Sequence, residues 1–245
     1  MVFQHGLCGD ANQPAEVFPV DTGWRCMTLE CRGHGRSEAG SSERFSIATF
    51  TADVCSLIEE RALGRVVLGG ISMGAAIAVR LAVVRPDLVR GLILARPAWL
   101  DAAAPSNMRP NAFVGELLSR YPVQEAKAIF EASETARTLQ AQAPDNLASL
   151  RGFFAREPLG VTSELLTRIS NDGPGVTRSQ IATIGIPTLV IGCGRDLVHP
   201  LTLAHTLAGM IPAASVVEIT SKAESLERYR QDFQHAVGRF LRDLR

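Results

Sequence analysis

Short apolar runs alternate with segments of helical periodicity along most of the chain, and this alternation constrains the fold more than any other feature. Six runs stand out, at residues 1–4, 25–30, 66–69, 91–95, 188–192 and 216–219. Brief apolar strands separated by helices belong to a mostly parallel sheet with helices on both faces, an α/β architecture. Between the second and third runs, Ile47, Phe50, Val54, Leu57 and Ile58 recur at three- and four-residue steps and so share one face of a helix. Near the C-terminus Leu226, Tyr229, Phe233, Val237, Phe240 and Leu241 repeat the pattern, with Arg228, Gln231, Asp232, His235, Arg239 and Arg242 on the opposite side. Residues 97–179 break the rhythm, being rich in Ala, Glu, Arg and Leu at helical spacing with no strand signal. Pro105, Pro110, Pro122, Pro144, Pro158 and Pro174 divide this stretch into short helices, because proline ends a helix at or before the preceding residue. The expected organisation is a core of residues 1–96 and 180–245 with a helical lid inserted over 97–179.

Composition narrows the functional classes. Lys+Arg and Asp+Glu are 25 each in 245 residues and no block of like charges occurs, which argues against nucleic acid or an anionic membrane as partner. No apolar run approaches the roughly 18 residues of a membrane-spanning helix, and the start MVFQHGLCGD lacks a basic segment followed by an apolar one, so a soluble cytoplasmic protein is expected. Cys8, Cys26, Cys31, Cys55 and Cys193 are odd in number and scattered, which fits free thiols rather than a disulfide framework or a zinc site. No motif for a nucleotide, metal or flavin is present, so no cofactor is expected.

The most informative local pattern is RVVLGGISMGAAIAVR at residues 65–80: a buried strand, then Gly70-Ile71-Ser72-Met73-Gly74, then a run of helix formers. A tight strand-to-helix turn forces its central residue into strained backbone angles and needs small residues two before and two after it. Ser72 would then stand above the sheet as a nucleophile, at a helix N-terminus whose free N–H groups favour developing negative charge. The plainer reading is a structural turn in which the Ser72 side chain caps the helix.

With these residues the sequence resembles the α/β-hydrolase superfamily over nearly its whole length. Phe3-Gln4-His5-Gly6-Leu7-Cys8-Gly9 is similar to that family's oxyanion loop. The resemblance implies Leu7 N–H and Met73 N–H as the two donors to a tetrahedral oxyanion. Glu30-Cys31-Arg32-Gly33-His34-Gly35-Arg36-Ser37 resembles the D-x-R-G-x-G-x-S scaffold turn, with Glu30 in place of Asp. PTLVIGCGRDLVHP at residues 187–200 resembles the segment that carries the catalytic acid, which implies that role for Asp196. The resemblance also implies an antiparallel hairpin before the first strand; here Met1 opens almost directly on that strand, which would leave a sheet edge free and predicts either a homodimer formed through that edge or marginal solubility.

One departure bears on chemistry. The family's histidine lies between the last strand and the final helix, and the corresponding loop, Ile219-Thr220-Ser221-Lys222-Ala223-Glu224-Ser225, holds none. A serine hydroxyl is a poor nucleophile without a base in hydrogen-bond reach. Of the five histidines, His235 falls on a polar helix face, His34 in a glycine-flanked turn, His205 in a helix at 201–211 and His5 in the oxyanion loop. His199, three residues after Asp196, shares the acid's loop and could complete a Ser72–His199–Asp196 relay, or it could simply precede the helix that starts at Pro200. Lys222 and Glu224, beside the missing histidine's place, are the other candidates for the base.

Two functions follow as expectations. One is a serine hydrolase cleaving an ester, lactone or thioester of a small, largely apolar acid through an acyl-enzyme on Ser72, with Trp99, Met108, Phe113, Phe130, Phe153 and Phe154 available to line its pocket, although such side chains in helices more often fill core. The other is a degenerate relative that binds a small apolar ligand, or a cofactor-free lyase.

Overall fold

The computed structural model describes residues 1–244. Five strands form one sheet in the order β1 (Val2–Gln4), β2 (Val66–Ile71), β3 (Val89–Ala95), β4 (Thr188–Cys193) and β5 (Ala214–Ile219). Every pairing among them is parallel. Each strand must therefore be followed by a crossover, and helices supply it. These are α1 (Asn12–Val17), α2 (Ile47–Glu60), α3 (Met73–Val84), α4 (Arg109–Arg120), α5 (Val123–Ala132), α6 (Glu134–Gln142), α7 (Pro144–Phe153), α8 (Leu159–Asn171), α9 (Arg178–Ile181), α10 (Leu201–Met210) and α11 (Leu226–Asp243).

The strands are buried on both faces, and their side chains alternate between two cores as the period of two dictates. Val2, Leu68, Leu92, Leu94 and Val190 face one core with Phe50 and Val54 of α2, Ile77 and Leu81 of α3, and Leu207 of α10. Phe3, Val67, Ile71, Ile93 and Ile191 face the other, closed by Val17 of α1 and by Tyr229, Phe233, Val237 and Leu241 of α11. The helices between β3 and β4 build a third core of their own, from residues such as Val114, Phe130, Leu139, Leu147 and Leu166, and Leu7 and Leu197 from the strand-end loops pack against it. The prolines mark these helices as the sequence predicts: Pro110 and Pro144 lie in the first turns of α4 and α7, and Pro122 and Pro158 stand immediately before α5 and α8.

One predicted strand is corrected. Residues 25–30 do not form a strand; they make a single parallel bridge, Val2 with Met27. Phe3 N–H donates to Met27 O at 2.9 Å and Met27 N–H to Met1 O at 3.0 Å, after which the segment leaves the sheet. This short contact nonetheless covers part of the β1 edge that the sequence would leave free. No helix among the described residues is long and apolar enough to cross a membrane.

Candidate active site

The strand-to-helix turn takes the form its glycines require. Ser72, between β2 and α3, has φ 55° and ψ −110°, a left-handed value that costs a non-glycine residue energy and persists only where the surroundings impose it. They impose it by close approach: a Cβ on Gly70 would lie 2.4 Å from the Gly74 carbonyl carbon, and one on Gly74 would lie 2.5 Å from Gln4 O. The Ser72 backbone is tied at both ends, its N–H to Ala95 O at 2.9 Å and its carbonyl to Ala75 N–H at 3.0 Å. Its side chain makes no helix-capping hydrogen bond, so capping does not account for this serine. Ser72 is buried yet borders a cavity of about 90 Å³.

His199 borders the same cavity. It lies in the loop after β4, where its backbone N–H donates to Asp196 Oδ1 at 2.9 Å and its Nδ1 sits 3.0 Å from both carboxylate oxygens. With Nδ1–H engaged by the carboxylate, Nε2 carries the ring's free lone pair. Burial lowers the His199 pKa most, and Arg96 lowers it further, against the opposing pull of Asp196. The imidazole is accordingly neutral near pH 7. Burial works against the charge of Asp196, but His199 and Arg96 outweigh it and hold the carboxyl well below the usual carboxylate range.

Two further residues fix that carboxylate. Arg96, at the end of β3 with φ 45°, donates Nε–H to Asp196 Oδ2 at 2.7 Å and reaches Asp145 with Nη2 at 3.5 Å. Asn146 of α7 donates from Nδ2 to Asp196 Oδ1 at 3.0 Å, while its Oδ1 accepts Leu197 N–H at 2.8 Å and Val198 N–H at 3.0 Å. The acid loop is thus clamped from a helix outside the sheet. Sequence reasoning singles out neither residue. An arginine closing the apolar run LILAR is the available signal for Arg96; Asn146 has none, since its partners lie fifty residues away.

The loop after β1 is braced from below. His5 donates from Nδ1 to Gly6 O at 2.8 Å and accepts Cys31 N–H on Nε2 at 3.0 Å, which assigns it a neutral, structural part. Gly6 N–H donates to Gln13 Oε1 at 2.6 Å. Leu7 N–H and Met73 N–H make no backbone hydrogen bond among the described residues, and Leu7 borders the cavity. Glu30 accepts Ala11 N–H and Arg36 N–H, at 3.1 and 2.9 Å. His34 is buried against His5, with ring centroids 4.7 Å apart, whereas His205 and His235 are exposed on helices away from the cavity. Among the described residues no group of three or more His, Cys, Asp or Glu could hold a metal ion.

The family model for the alpha/beta hydrolase fold matches residues 1–227. The chain belongs to that family. BpoC of Mycobacterium tuberculosis, which carries the name of a non-heme bromoperoxidase, is 30% identical over 202 residues, covering 80% of this chain and 74% of its own. RutD of Rhizobium rhizogenes, named for carbamate hydrolysis, is 27% identical over 252 residues, covering 99% and 92%. Among solved structures, the enol-lactonase from Burkholderia xenovorans LB400 superposes with a TM-score of 0.72 at 25% identity, covering 98% of this chain and 90% of that one.

Within this alpha/beta hydrolase the loop that lacks the family's histidine still reaches the cavity, through Lys222 rather than Glu224, which is exposed. Burial and the neighbouring Arg96 lower the Lys222 pKa. Of the six apolar side chains expected to be available as lining, Phe153 alone borders the cavity. Trp99, Met108, Phe130 and Phe154 are buried in the hydrophobic cores, and Phe113 packs against the third of them. Leu7, Ile71, Leu150 and Val198 supply the remaining apolar wall, and polar groups from Gln13, Asn111, Asn146 and Ser149 share it.

Proposed function

We propose that this alpha/beta hydrolase is a serine hydrolase that cleaves an ester, lactone or thioester of a small acid through an acyl-enzyme on Ser72. One observation carries the reading: an imidazole fixed by the Asp196 carboxylate borders the same small cavity as Ser72, although it comes from the acid's own loop. In the first step Ser72 Oγ attacks the acyl carbon as His199 Nε2 takes its proton. Leu7 N–H and Met73 N–H, which have no backbone acceptor to lose, receive the oxyanion. Collapse of the tetrahedral adduct breaks the bond to the leaving group, which takes the proton from His199. Water then repeats the sequence on the acyl-serine, releasing the acid and restoring Ser72. Asp196 keeps Nδ1 protonated and stabilises the imidazolium while it exists. The helices from α4 to α8 serve as the lid, and a cavity of about 90 Å³ limits the acyl group to a few carbons, being smaller than the roughly 150 Å³ that accommodates benzene. The mixed lining favours an acid with a polar function over the largely apolar one expected from sequence.

The test is intact-mass labelling with a fluorophosphonate. The protein should gain one adduct, absent in Ser72→Ala and slowed by two orders of magnitude or more in His199→Ala. Labelling that persists at full rate in His199→Ala would remove His199 from this role, and no labelling of the parent protein would favour a ligand-binding relative.

A further inference from the structure

Arg96 and Lys222 are the two cations that border the cavity, and only Arg96 is paired with carboxylates. Arg96 is committed to Asp196 and Asp145. The Lys222 ammonium makes no hydrogen bond or ion pair among the described residues; it lies over the Tyr229 ring, with Nζ 5.0 Å from the ring centroid. Asp145, Glu16 and Asp196 act on it only at longer range. Asp145 and Asp196 are themselves held by Arg96, Asn146 and His199. An ammonium withdrawn from water without a carboxylate costs free energy that a bound anion would recover. A wholly apolar acyl chain would leave that ammonium without an anion.

We propose that Lys222 is the specificity-determining residue of this site and binds a carboxylate carried by the substrate, so that the hydrolase acts on esters or lactones of small dicarboxylic acids. This rests on the serine hydrolase reading for turnover but not for binding. A carboxylate two carbons from the scissile carbonyl suits a cavity that holds only a few heavy atoms beside Ser72. It also gives the loop between β5 and α11 a task in binding.

Two measurements separate this proposal from the reading it rests on. The first compares kcat/KM for monoethyl succinate and ethyl butyrate by pH-stat. The ratio should exceed one in the parent protein, fall at least tenfold in Lys222→Met, and recover in part in Lys222→Arg. A preference for ethyl butyrate in the parent, or an equal loss on both esters in Lys222→Met as removal of a base would give, overturns it. The second follows thermal unfolding of Ser72→Ala with millimolar succinate or succinamide. Succinate alone should raise the midpoint, and the shift should vanish when Lys222→Met is added. If neither ester is hydrolysed yet succinate shows this Lys222-dependent shift, the hydrolase reading fails and the carboxylate site stands. If ethyl butyrate is hydrolysed and succinate gives no such shift, the carboxylate site fails and the hydrolase reading stands.

Discussion

His199 owes its pose to its distance from Asp196 along the chain. Three residues let one carboxylate oxygen accept both the backbone N–H and, at 3.0 Å, the ring Nδ1 of the same histidine, so the loop that presents the acid also presents the imidazole. Arg96 opposes protonation of that imidazole while neutralising the acid, and burial opposes it more strongly. A base must be neutral to accept the Ser72 proton, so kcat/KM should rise with pH along a single limb whose midpoint lies below the ordinary histidine value of about 6.5. An unshifted histidine would be about one-quarter neutral at pH 6.0. The hydrolase should therefore retain more than that fraction of its plateau kcat/KM at pH 6.0 on a neutral ester. A midpoint at or above 6.5 would show that some other group, or a solvated histidine, supplies the base.

The turn between β2 and α3 shows what the backbone must do for Ser72. With Gly74 resting against Gln4 O, strand β1 and helix α3 approach more closely than any side chain permits. Gly74→Ala should destabilise the fold by about 1–3 kcal/mol, read as a lower urea midpoint, and should slow fluorophosphonate labelling as the helix is displaced. Gly152, in α7, gives the contrast, because a methyl group added there would meet nothing within 4 Å. Gly152→Ala should hold or raise the midpoint, since alanine is the better helix former. If the two variants lose stability equally, close approach is not what fixes glycine at position 74. Elements of this kind are legible in sequence because their causes are local. The G-x-S-x-G turn, the proline boundaries of α4, α5, α7 and α8, and the apolar stripe of α11 each follow from neighbours a few residues apart. Residues 25–30 mislead because the run, partly exposed at the edge of the sheet, pairs with β1 at a single bridge, and how far the pairing extends depends on where the chain turns next. Asn146 is silent in the sequence for a related reason, since an asparagine in a helical stretch acquires meaning only when α7 is brought over the β4 loop.

At the scale of the molecule, the loops leaving β1 and β4 and the turn around His34 withdraw three imidazoles from water in an otherwise charge-balanced protein, His5 and His34 being fully buried and the His199 side chain 11% exposed. Burial is the largest cause lowering the pKa of each of His5, His34 and His199; His5 and Arg156 add to it at His34, and Arg96 at His199. His34 has a further reason to resist protonation, because its Nε2 has no hydrogen-bond partner while Nδ1 already faces Arg32 O at 2.9 Å. In the unfolded chain all three titrate near 6.5. Below that value the unfolded state binds protons that the folded state excludes, so stability is fully present above about pH 6.5 and is lost as pH falls toward the depressed folded pKa values. Each histidine contributes a slope of up to about 1.4 kcal/mol per pH unit between its folded and unfolded pKa values, and the three slopes have the same sign. Asp196 and Glu30, both with lowered pKa, extend the loss at more acid pH. The thermal midpoint followed by circular dichroism should therefore be level between pH 8 and 7 and fall steeply from pH 6.5 to 5. His34→Gln, which removes one of the three titrations, should make that fall shallower. A midpoint that stays flat to pH 5.5 in the parent protein would mean that these imidazoles are protonated or hydrated in the folded state, and the neutral His199 on which the proton relay depends would have to be abandoned with them.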